Sequence, residues 1–216
     1  MSGFVQEKKI PKKIAELSIA TISDIVEIDK CNRTMLKENY DPSFYAAIFN
    51  SKLSCSFVIR VGEKPLQEES EKTPQEELKL SQEELKKSQE EAETDSVKVS
   101  QQPLKDSQFA GYVLATLNRD NKGRTTCHIV SLAIYPEFQR QGFANVLMQS
   151  VESFLQERFS SVHHLVLHVR KHNKAAYNLY TKLQYNRSKV VKNYYRNPKE
   201  DGYEMIKGLD FVAKNE

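Results

Sequence analysis

The sequence has few of the residues on which whole classes of protein depend. Its 216 residues include three cysteines (Cys31, Cys55 and Cys127) and no tryptophan. An odd number of cysteines without a CxxC spacing argues against a disulfide scaffold and a zinc ribbon. No window approaches the roughly eighteen apolar residues of a membrane-spanning helix, and the lysine-rich start, Met1–Lys13, lacks the apolar core of a signal peptide. We therefore expect a cytoplasmic protein with reduced, structural cysteines and no membrane partner.

The shortage of glycine excludes the common nucleotide-binding loops. The seven glycines form neither a GxGxxG nor a GxxxxGK[ST] motif, so Rossmann and P-loop sites are absent. A metal site is not expected either, although His164, His168 and His172 recur every four positions in and around a predicted strand. At a rise of about 3.3 Å per residue, positions four apart are separated by about 13 Å, too far to share one zinc. Cys127 and His128 are strand neighbours on opposite faces, so they cannot act as a nucleophile and its base.

Charge is distributed unevenly along the chain. Residues Pro65–Gln108 carry 12 acids and 6 lysines, whereas the other 172 residues have a net charge of +9. The basic part should attract an anionic ligand or partner, and nucleic acid, the ribosome and a phosphate-bearing cofactor all fit this charge. Aromatic residues are not interleaved with basic ones in an RNA-binding pattern. Direct, sequence-specific nucleic-acid binding is therefore the least favoured of the three.

The acidic segment is a low-complexity repeat. From Gln75 onward the heptad QEELKLS recurs almost unchanged. A coiled coil needs two apolar positions per heptad, and this repeat supplies essentially one. We expect a disordered segment or a solvated helix, with a partner-binding helix as the alternative. Because the flanking sequence looks folded, we expect one domain formed by residues 1–64 and 109–216, with residues 65–108 inserted between two strands.

Apolar spacing predicts an α/β or α+β domain. Helical spacing predicts a helix over Ala20–Asn32, a short helix after Pro42, a helix of about fifteen residues from Phe143 and another from Ala176. The first two strands should form an antiparallel pair, and a strand–loop–helix should lie at the centre of the sheet. Apolar, β-prone runs predict strands at Ser56–Val61, Phe109–Leu117, Cys127–Tyr135, Leu165–Val169, Arg187–Lys192 and Tyr203–Lys207.

The turn between the third of these strands and the long helix can bind an anion. It reads Gln139-Arg-Gln-Gly-Phe-Ala144. Small residues at Gly142 and Ala144 allow a ligand to approach the backbone, and free N–H groups at a helix N-terminus form a cradle for pyrophosphate. An ordinary strand-to-helix turn is the alternative on this hexapeptide alone.

Taken together, several motifs resemble the GNAT acetyltransferases, and more closely the catalytic subunits of the N-terminal (Nα) acetyltransferases. The QxxGxA turn is shared by all GNATs, whereas the run LHVRKHNKAAYNLY and the double tyrosine are specific to the Nα branch. The resemblance spans nearly all of the chain outside the insertion. It is carried by Leu36–Tyr40, His128–Ile134, Gln139–Ala144, Leu167–Ala176, Leu179–Tyr180, Asn193–Tyr195 and Asp201–Met205.

The resemblance implies a GNAT fold, with a mixed, mostly antiparallel central sheet flanked by helices, and acetyl-CoA as co-substrate. The pyrophosphate would lie at the turn, and the backbone of the preceding strand would hold the pantetheine and supply oxyanion donors. The implied acetyl-CoA-binding residues are Leu132, Ala133, Ile134, Gln139, Arg140, Gln141, Gly142, Phe143, Ala144, Asn173 and Tyr180. The implied peptide-binding residues are Leu36, Glu38, Tyr40, Val130, Tyr194 and Tyr195.

Four residues are candidates for catalysis. Tyr180 lies where GNATs place the proton donor for the leaving thiolate, with core packing as the alternative. An α-amine has a pKa of about 7.7–8.0, so weak general-base help suffices, and histidine fits that demand. His168 is favoured over His128, although either could be structural. Glu38 matches a NatA carboxylate that assists catalysis and orients the substrate; a surface helix-end glutamate is the alternative.

The resemblance implies co-translational acetylation of the α-amine of nascent protein N-termini. The sequences Tyr40–Tyr45 and Lys192–Arg196 resemble NatE, which acts on N-termini that begin with Met and a hydrophobic residue. The sequences Glu38–Tyr40 and Leu167–Asn173 resemble NatA, which implies N-termini that begin with Ser, Ala or Thr. We favour the NatE type. The resemblance allows a large helical-repeat auxiliary subunit and the ribosome as partners. Two other functions remain open: a GNAT that acts on lysine side chains or small amines, and a non-catalytic GNAT-like scaffold or ribosome-binding subunit.

Overall fold

The structure is a computed structural model that describes residues 13–51, 53–63, 104–119, 124–159 and 161–209. The chain divides into two units, one formed by residues 1–16 and 61–107 and the other by residues 17–60 and 108–216. Of the first unit, the described residues are almost entirely the ends of three strands. The heptad repeat and most of the predicted insertion lie outside the described residues, so the expected domain boundaries stay a prediction.

Among the described residues, strands and α-helices alternate from residue 125 to residue 196. No helix among all the described residues is long and apolar enough to cross a membrane. Short 3-10 turns precede the first helix, at Ile22–Asp24, and follow the fourth strand, at Pro136–Phe138. The elements in order are β1 (Lys13–Ile19), α1 (Ile25–Met35), α2 (Pro42–Asn50), β2 (Phe57–Glu63), β3 (Lys105–Arg119), β4 (Thr125–Ile134), α3 (Phe143–Arg158), β5 (Val162–Arg170), α4 (Lys174–Lys182), β6 (Asn186–Arg196) and β7 (Lys199–Gly208).

The described strands form one seven-stranded sheet in the order β1-β2-β3-β4-β5-β7-β6. β3–β4, β5–β7 and β6–β7 are antiparallel, whereas β4 and β5 are parallel. The parallel pairing ends where Ile129 lies opposite Leu167. Both strands then continue, β4 to Ile134 and β5 to Arg170, without pairing to each other. The sheet opens at this point, and backbone groups on the facing edges are left for another partner.

The core covers both faces of the sheet. Side chains alternate between the two faces of a strand. Val58 belongs to a buried cluster with Ile28 of α1 and Tyr45 of α2, whereas the neighbouring Phe57 contacts Phe154 of α3 edge to face. α1 and α2 therefore lie on one face and α3 on the other, which fixes the start of α3 close to the open end of β4.

The predicted α/β class and mostly antiparallel sheet are confirmed, as are the predicted helices and strands. α1 begins after the 3-10 turn and continues to Met35 instead of ending at Asn32. β3 begins at Lys105 rather than Phe109, because its first four residues are exposed and polar and carry no apolar signal. β1 was not predicted, since its seven residues are mostly half-buried or exposed and lack a clear alternation.

Candidate active site

Two cavities meet where β4 and β5 separate. The first has a volume of about 910 Å³ and lies between the end of β4, the turn before α3, and α4. The second, of about 810 Å³, lies between β4, β5, the loop after α1 and the β6–β7 hairpin. The two cavities therefore adjoin and share part of their wall. The shared lining residues are Met35, Leu36, Leu132, Asn173, Ala176 and Tyr180.

The turn at the first cavity has the backbone that an anion site requires. Gly142 precedes α3 with φ +87°, and Arg140 has φ +63°, so both lie in the left-handed region. A Cβ atom built on Gly142 would meet nothing within 4 Å, which leaves open space in front of this backbone. The first N–H groups of a helix lack intrahelical partners. Glycine therefore suits this position, because it adopts this backbone conformation without strain and leaves the space in front of the backbone open.

Most of the residues expected to bind acetyl-CoA line the first cavity. The side chain of Gln139 does so while its Nε2 donates to the carbonyl of Ile134 at 2.9 Å, which fixes the turn to the end of β4. Gln141 is the exception, because its Nε2 donates to the carbonyl of Glu137 at 3.0 Å and the side chain is exposed. The other expected residues in the lining are Leu132, Ala133, Ile134, Arg140, Gly142, Phe143, Ala144, Asn173 and Tyr180.

The sequence analysis did not identify the α4 residues that line this cavity beyond Tyr180. Thr181 and Lys182, near the end of α4, line the cavity together with Asn178. α4 begins at Lys174 because Oδ1 of Asn173 accepts a hydrogen bond from the N–H of Ala176 at 3.0 Å. The helical spacing of Asn178 and Lys182 was the signal that could have identified them.

Two histidines form the chemical centre of the second cavity. Nε2 of His128, on β4, lies 3.4 Å from Nδ1 of His168, on β5, and their rings are nearly perpendicular. Burial lowers the pKa of both imidazoles, and the neighbouring His128 lowers the pKa of His168 further. Both side chains are therefore neutral near pH 7 and can accept a proton. Among the described residues, no group of three or more His, Cys, Asp or Glu side chains could hold a metal ion.

Tyrosines cover this centre. Tyr194, on β6, stacks on His168 with ring centroids 4.0 Å apart, and it is T-shaped against Tyr195. On the opposite wall, the hydroxyl of Tyr40 lies 3.4 Å from the carbonyl of Val130. Burial raises the pKa of Tyr180 to about 12, so its hydroxyl keeps its proton at neutral pH. All of the expected peptide-binding residues line this cavity: Leu36, Glu38, Tyr40, Val130, Tyr194 and Tyr195.

An arginine that the sequence did not single out joins the two walls of the second cavity. Arg170, at the end of β5, forms an ion pair with Glu38 in the loop after α1. It also contacts Glu200 of β7 at 3.0 Å and the carbonyl of Asn197 at 2.9 Å, and it stacks over the ring of Tyr195. Because the Arg170 guanidinium already occupies the Glu38 carboxylate, this contact favours an orienting role for Glu38 over a role as base.

A buried polar network fixes the same loop to β4. Nδ2 of Asn32 donates to the carbonyl of Glu38 at 2.6 Å, and the hydroxyl of Tyr112 donates to Oδ1 of Asn32 at 2.7 Å. The Tyr112 hydroxyl also lies 2.8 Å from Oγ of Ser131. All three side chains are buried, so the hydrogen bonds are shielded from water. Sequence reasoning missed this network, although a polar Asn32 beside the apolar face of α1 was a signal for it.

Comparison with known proteins finds acetyltransferases both among family models and among individual relatives. Residues 63–185 match the family described as Acetyltransferase (GNAT) family. Over 105 residues the chain is 34% identical to the N-terminal acetyltransferase A complex catalytic subunit NAA10 of Arabidopsis thaliana, covering 48% of this chain and 53% of that protein. Over 186 residues it is 29% identical to the N-terminal acetyltransferase complex ARD1 subunit homolog of Dictyostelium discoideum, covering 86% of this chain and 68% of that protein. The chain thus spans about half the length of the Arabidopsis relative.

The fold also matches a solved structure. Superposition on Arabidopsis thaliana NAA60 in complex with acetyl-CoA gives a TM-score of 0.63 at 15% identity, covering 91% of this chain and 99% of that chain. At this identity the match establishes the fold alone.

Proposed function

The chain belongs to the acetyltransferase (GNAT) family, and we propose that it transfers the acetyl group of acetyl-CoA to the free α-amine of protein N-termini. The family resemblance read from the motifs is confirmed. The observation that carries the proposal is the meeting of the two cavities beside Tyr180, with a pair of neutral histidines in the second. One cavity suits an anionic cofactor and the other has groups that can remove a proton from an amine.

The first cavity fits acetyl-CoA. The turn from Gln139 to Ala144 would hold the pyrophosphate, because the open space at Gly142 and the N-terminus of α3 favour a bound anion. The unpaired edge of β4 at Leu132–Ile134 would hold the pantetheine arm by backbone hydrogen bonds. Bound there, acetyl-CoA supplies the acetyl group as an activated thioester. Tyr180 keeps its hydroxyl proton and lines both cavities, so we assign it to protonate the thiolate leaving group.

The second cavity suits a chain terminus. Its two walls, the loop at Leu36–Tyr40 and the hairpin at Tyr194–Asn197, are tied together through Arg170. A lysine in mid-chain would need an open groove and a strong base, because a lysine amine has a pKa near 10.4 and an α-amine about 7.7–8.0. The bases here are two histidines whose pKa is lowered by burial. These features favour α-amines over lysine side chains.

For the preferred N-termini we propose Met-hydrophobic starts ahead of Ser, Ala or Thr starts. One support is that the sequences Tyr40–Tyr45 and Lys192–Arg196 resemble NatE. A second is that Leu36, Tyr40 and Val130, which are largely apolar side chains, line the second cavity. The name of the Arabidopsis relative points instead to the NatA type. The identity of the first two residues is therefore the property to measure.

We further propose that the protein acts co-translationally in the cytoplasm beside an auxiliary subunit and the ribosome. The Arabidopsis relative is named as the catalytic subunit of a complex. The net charge of +9 outside Pro65–Gln108 suits a surface that approaches an anionic partner.

The test is acetyl transfer by the full chain to a panel of peptides that differ in their first two residues. We expect transfer to Met-Leu starts, with slower transfer to Ser starts. Tyr180→Phe keeps the ring and removes the proton donor, so it should lower kcat by about 10-fold or more. Absence of transfer to every peptide, from a chain that binds acetyl-CoA, would reject the enzyme proposal in favour of a non-catalytic GNAT-like subunit.

A further inference from the structure

β7 carries a carboxylate directly beside the histidine pair. In the sheet register, Glu204 lies opposite His168 of β5 on one side and opposite Lys189 of β6 on the other. Its Oε2 lies 3.7 Å from Nε2 of His168 and 3.2 Å from Nζ of Lys189. The Glu204 side chain is only 15% exposed, so its charge acts on its neighbours through little water.

This carboxylate selects one arrangement of protons on the two rings. A distance of 3.7 Å is too long for a hydrogen bond, but a negative charge there favours a proton on Nε2 of His168. With Nε2 protonated, the neutral His168 ring has its lone pair on Nδ1. Nδ1 faces Nε2 of His128 at 3.4 Å, so Nε2 of His128 carries the proton between them. The nitrogen left without a proton on His128 is Nδ1.

We propose that Glu204 is a positioning residue that, acting through His168, makes Nδ1 of His128 the proton acceptor for the attacking amine. This inference rests on the proposed function. It reverses the order expected from the sequence, in which His168 is the favoured base. It also gives the two histidines separate roles, because His128 receives the proton and His168 holds the tautomer of His128.

The proton transfer balances without any further reactant. The N–H bond of the substrate amine breaks and the proton moves to Nδ1 of His128. His128 passes its Nε2 proton to Nδ1 of His168. The positive charge then rests on His168, which has Glu204 at 3.7 Å and the ring of Tyr194 stacked on it.

Charged groups on each neighbouring strand determine the sign of the effect. The negative charge of Glu204 raises the pKa of both histidines, opposing burial, while Lys189 lowers the pKa of His168. Burial raises the pKa of Tyr194 and the charge of Glu204 raises it further, so Tyr194 stays neutral. Removing Glu204 should therefore make His168 and His128 harder to protonate, and removing Lys189 should make His168 easier to protonate.

Three variants of the full chain test this balance. Glu204→Gln removes the carboxylate at nearly constant volume, and Lys189→Met removes its lysine partner. Lys192→Met is the matched control, because Lys192 is also an exposed β6 lysine, paired with Asp201 of β7 instead of Glu204. Nitrogen-15 NMR of the imidazole rings reports the tautomer and pKa of each histidine without needing activity.

We expect the unbound protein to show both histidines protonated on Nε2. Glu204→Gln should move their titration midpoints to lower pH, Lys189→Met should move that of His168 to higher pH, and Lys192→Met should leave both unchanged. A wild-type His168 protonated on Nδ1 would overturn the inference. Histidine titration midpoints that are unchanged in both Glu204→Gln and Lys189→Met would also overturn it. If Glu204→Gln does not fold, Lys189→Met still tests the inference, because Lys189 is exposed and its replacement should not disturb folding.

Kinetics separate this inference from the function on which it rests. For peptide acetylation, Glu204→Gln should lower kcat/KM at pH 8 by about three- to tenfold, because a less basic acceptor is a weaker general base, and should shift the acid limb to lower pH. Lys189→Met should shift that limb to higher pH. If the wild type acetylates no N-terminus, the proposed function fails whatever the NMR shows. If it does so but Glu204→Gln has the wild-type pH profile, only the role of Glu204 fails.

Discussion

The two cavities are built in different ways. The first is made mainly by one continuous stretch, the end of β4 and the following turn, together with α4, Met35 and Leu36. The anion site that we propose there consists of backbone N–H groups around Gly142. The second is assembled from four segments that are distant in sequence, and ion pairs through Arg170 hold its walls together. A site made by local backbone can be identified as a motif, whereas a site made by long-range side-chain contacts becomes visible only in the folded chain.

The largest effect should follow from a change at the first cavity. Gly142→Asp places a carboxylate where the pyrophosphate would lie and forces a non-glycine residue to φ +87°. We expect acetyl-CoA binding to fall by about 100-fold or more, measured by calorimetry. Gly142→Ala is the control for backbone strain alone and should bind more weakly than wild type but far better than the aspartate variant. Wild-type affinity in a folded Gly142→Asp protein would remove the turn from the site.

At the second cavity the sharpest change is Arg170→Met. Removing the guanidinium leaves Glu38 and Glu200 without their shared partner, and the Arg170 side chain is only 11% exposed. We expect kcat/KM for a peptide to fall by about 10- to 100-fold while acetyl-CoA binding is retained, which would separate the two cavities functionally. Arg187→Met is the matched control, because Arg187 stacks over Tyr203 on the same hairpin without contacting Glu38. Equal loss in both variants would contradict the special role of Arg170.

A smaller effect is expected from the tyrosine that covers His168. Tyr194→Ala removes a ring stacked on His168 at 4.0 Å and part of the peptide wall. The KM for the peptide should rise by about fivefold and kcat should fall by a smaller factor. The reason is that Tyr194 contributes more to peptide binding than to the chemical step. Tyr194→Phe keeps the stacking and should restore most of the affinity. If Tyr194→Ala lowers kcat and leaves KM unchanged, the ring serves chemistry rather than binding.

The smallest effect should come from the acidic segment. None of the described residues between 61 and 107 lines either cavity. Replacing residues 66–103 with a short Gly/Ser loop should leave Tm and peptide turnover of the chain nearly unchanged, because the repeat has too few apolar residues to join a core. The replacement stops before Leu104 because that residue is buried and β3 follows it. A large drop in Tm would show that the repeat packs on the domain.

What could be predicted from the sequence also differs between the two cavities, because the first depends on local sequence and the second on long-range contacts. The Gln139–Ala144 turn and Tyr180 belong to local patterns, and the structure brings them to one cavity. His128 and His168 were both identified, but their 3.4 Å separation depends on the register of β4 and β5, which apolar spacing does not determine. Arg170 contacts Glu38 across 132 positions of sequence, and Glu204 reaches His168 through a strand pairing. Such partners cannot be inferred from spacing along one chain.

The central claim is that an α-amine, and not a lysine side chain, is acetylated. The most direct measurement compares two forms of one lysine-containing peptide, with its N-terminus free and with its N-terminus blocked, and follows acetyl transfer by mass spectrometry at pH 7. At this pH the neutral fraction of a lysine amine is several hundred-fold smaller than that of an α-amine, by the difference between a pKa of about 10.4 and one of about 7.7–8.0. We predict rapid, single acetylation of the free peptide and little modification of the blocked one. Equal or faster acetylation of the blocked peptide would contradict the assignment and identify the protein as a lysine acetyltransferase.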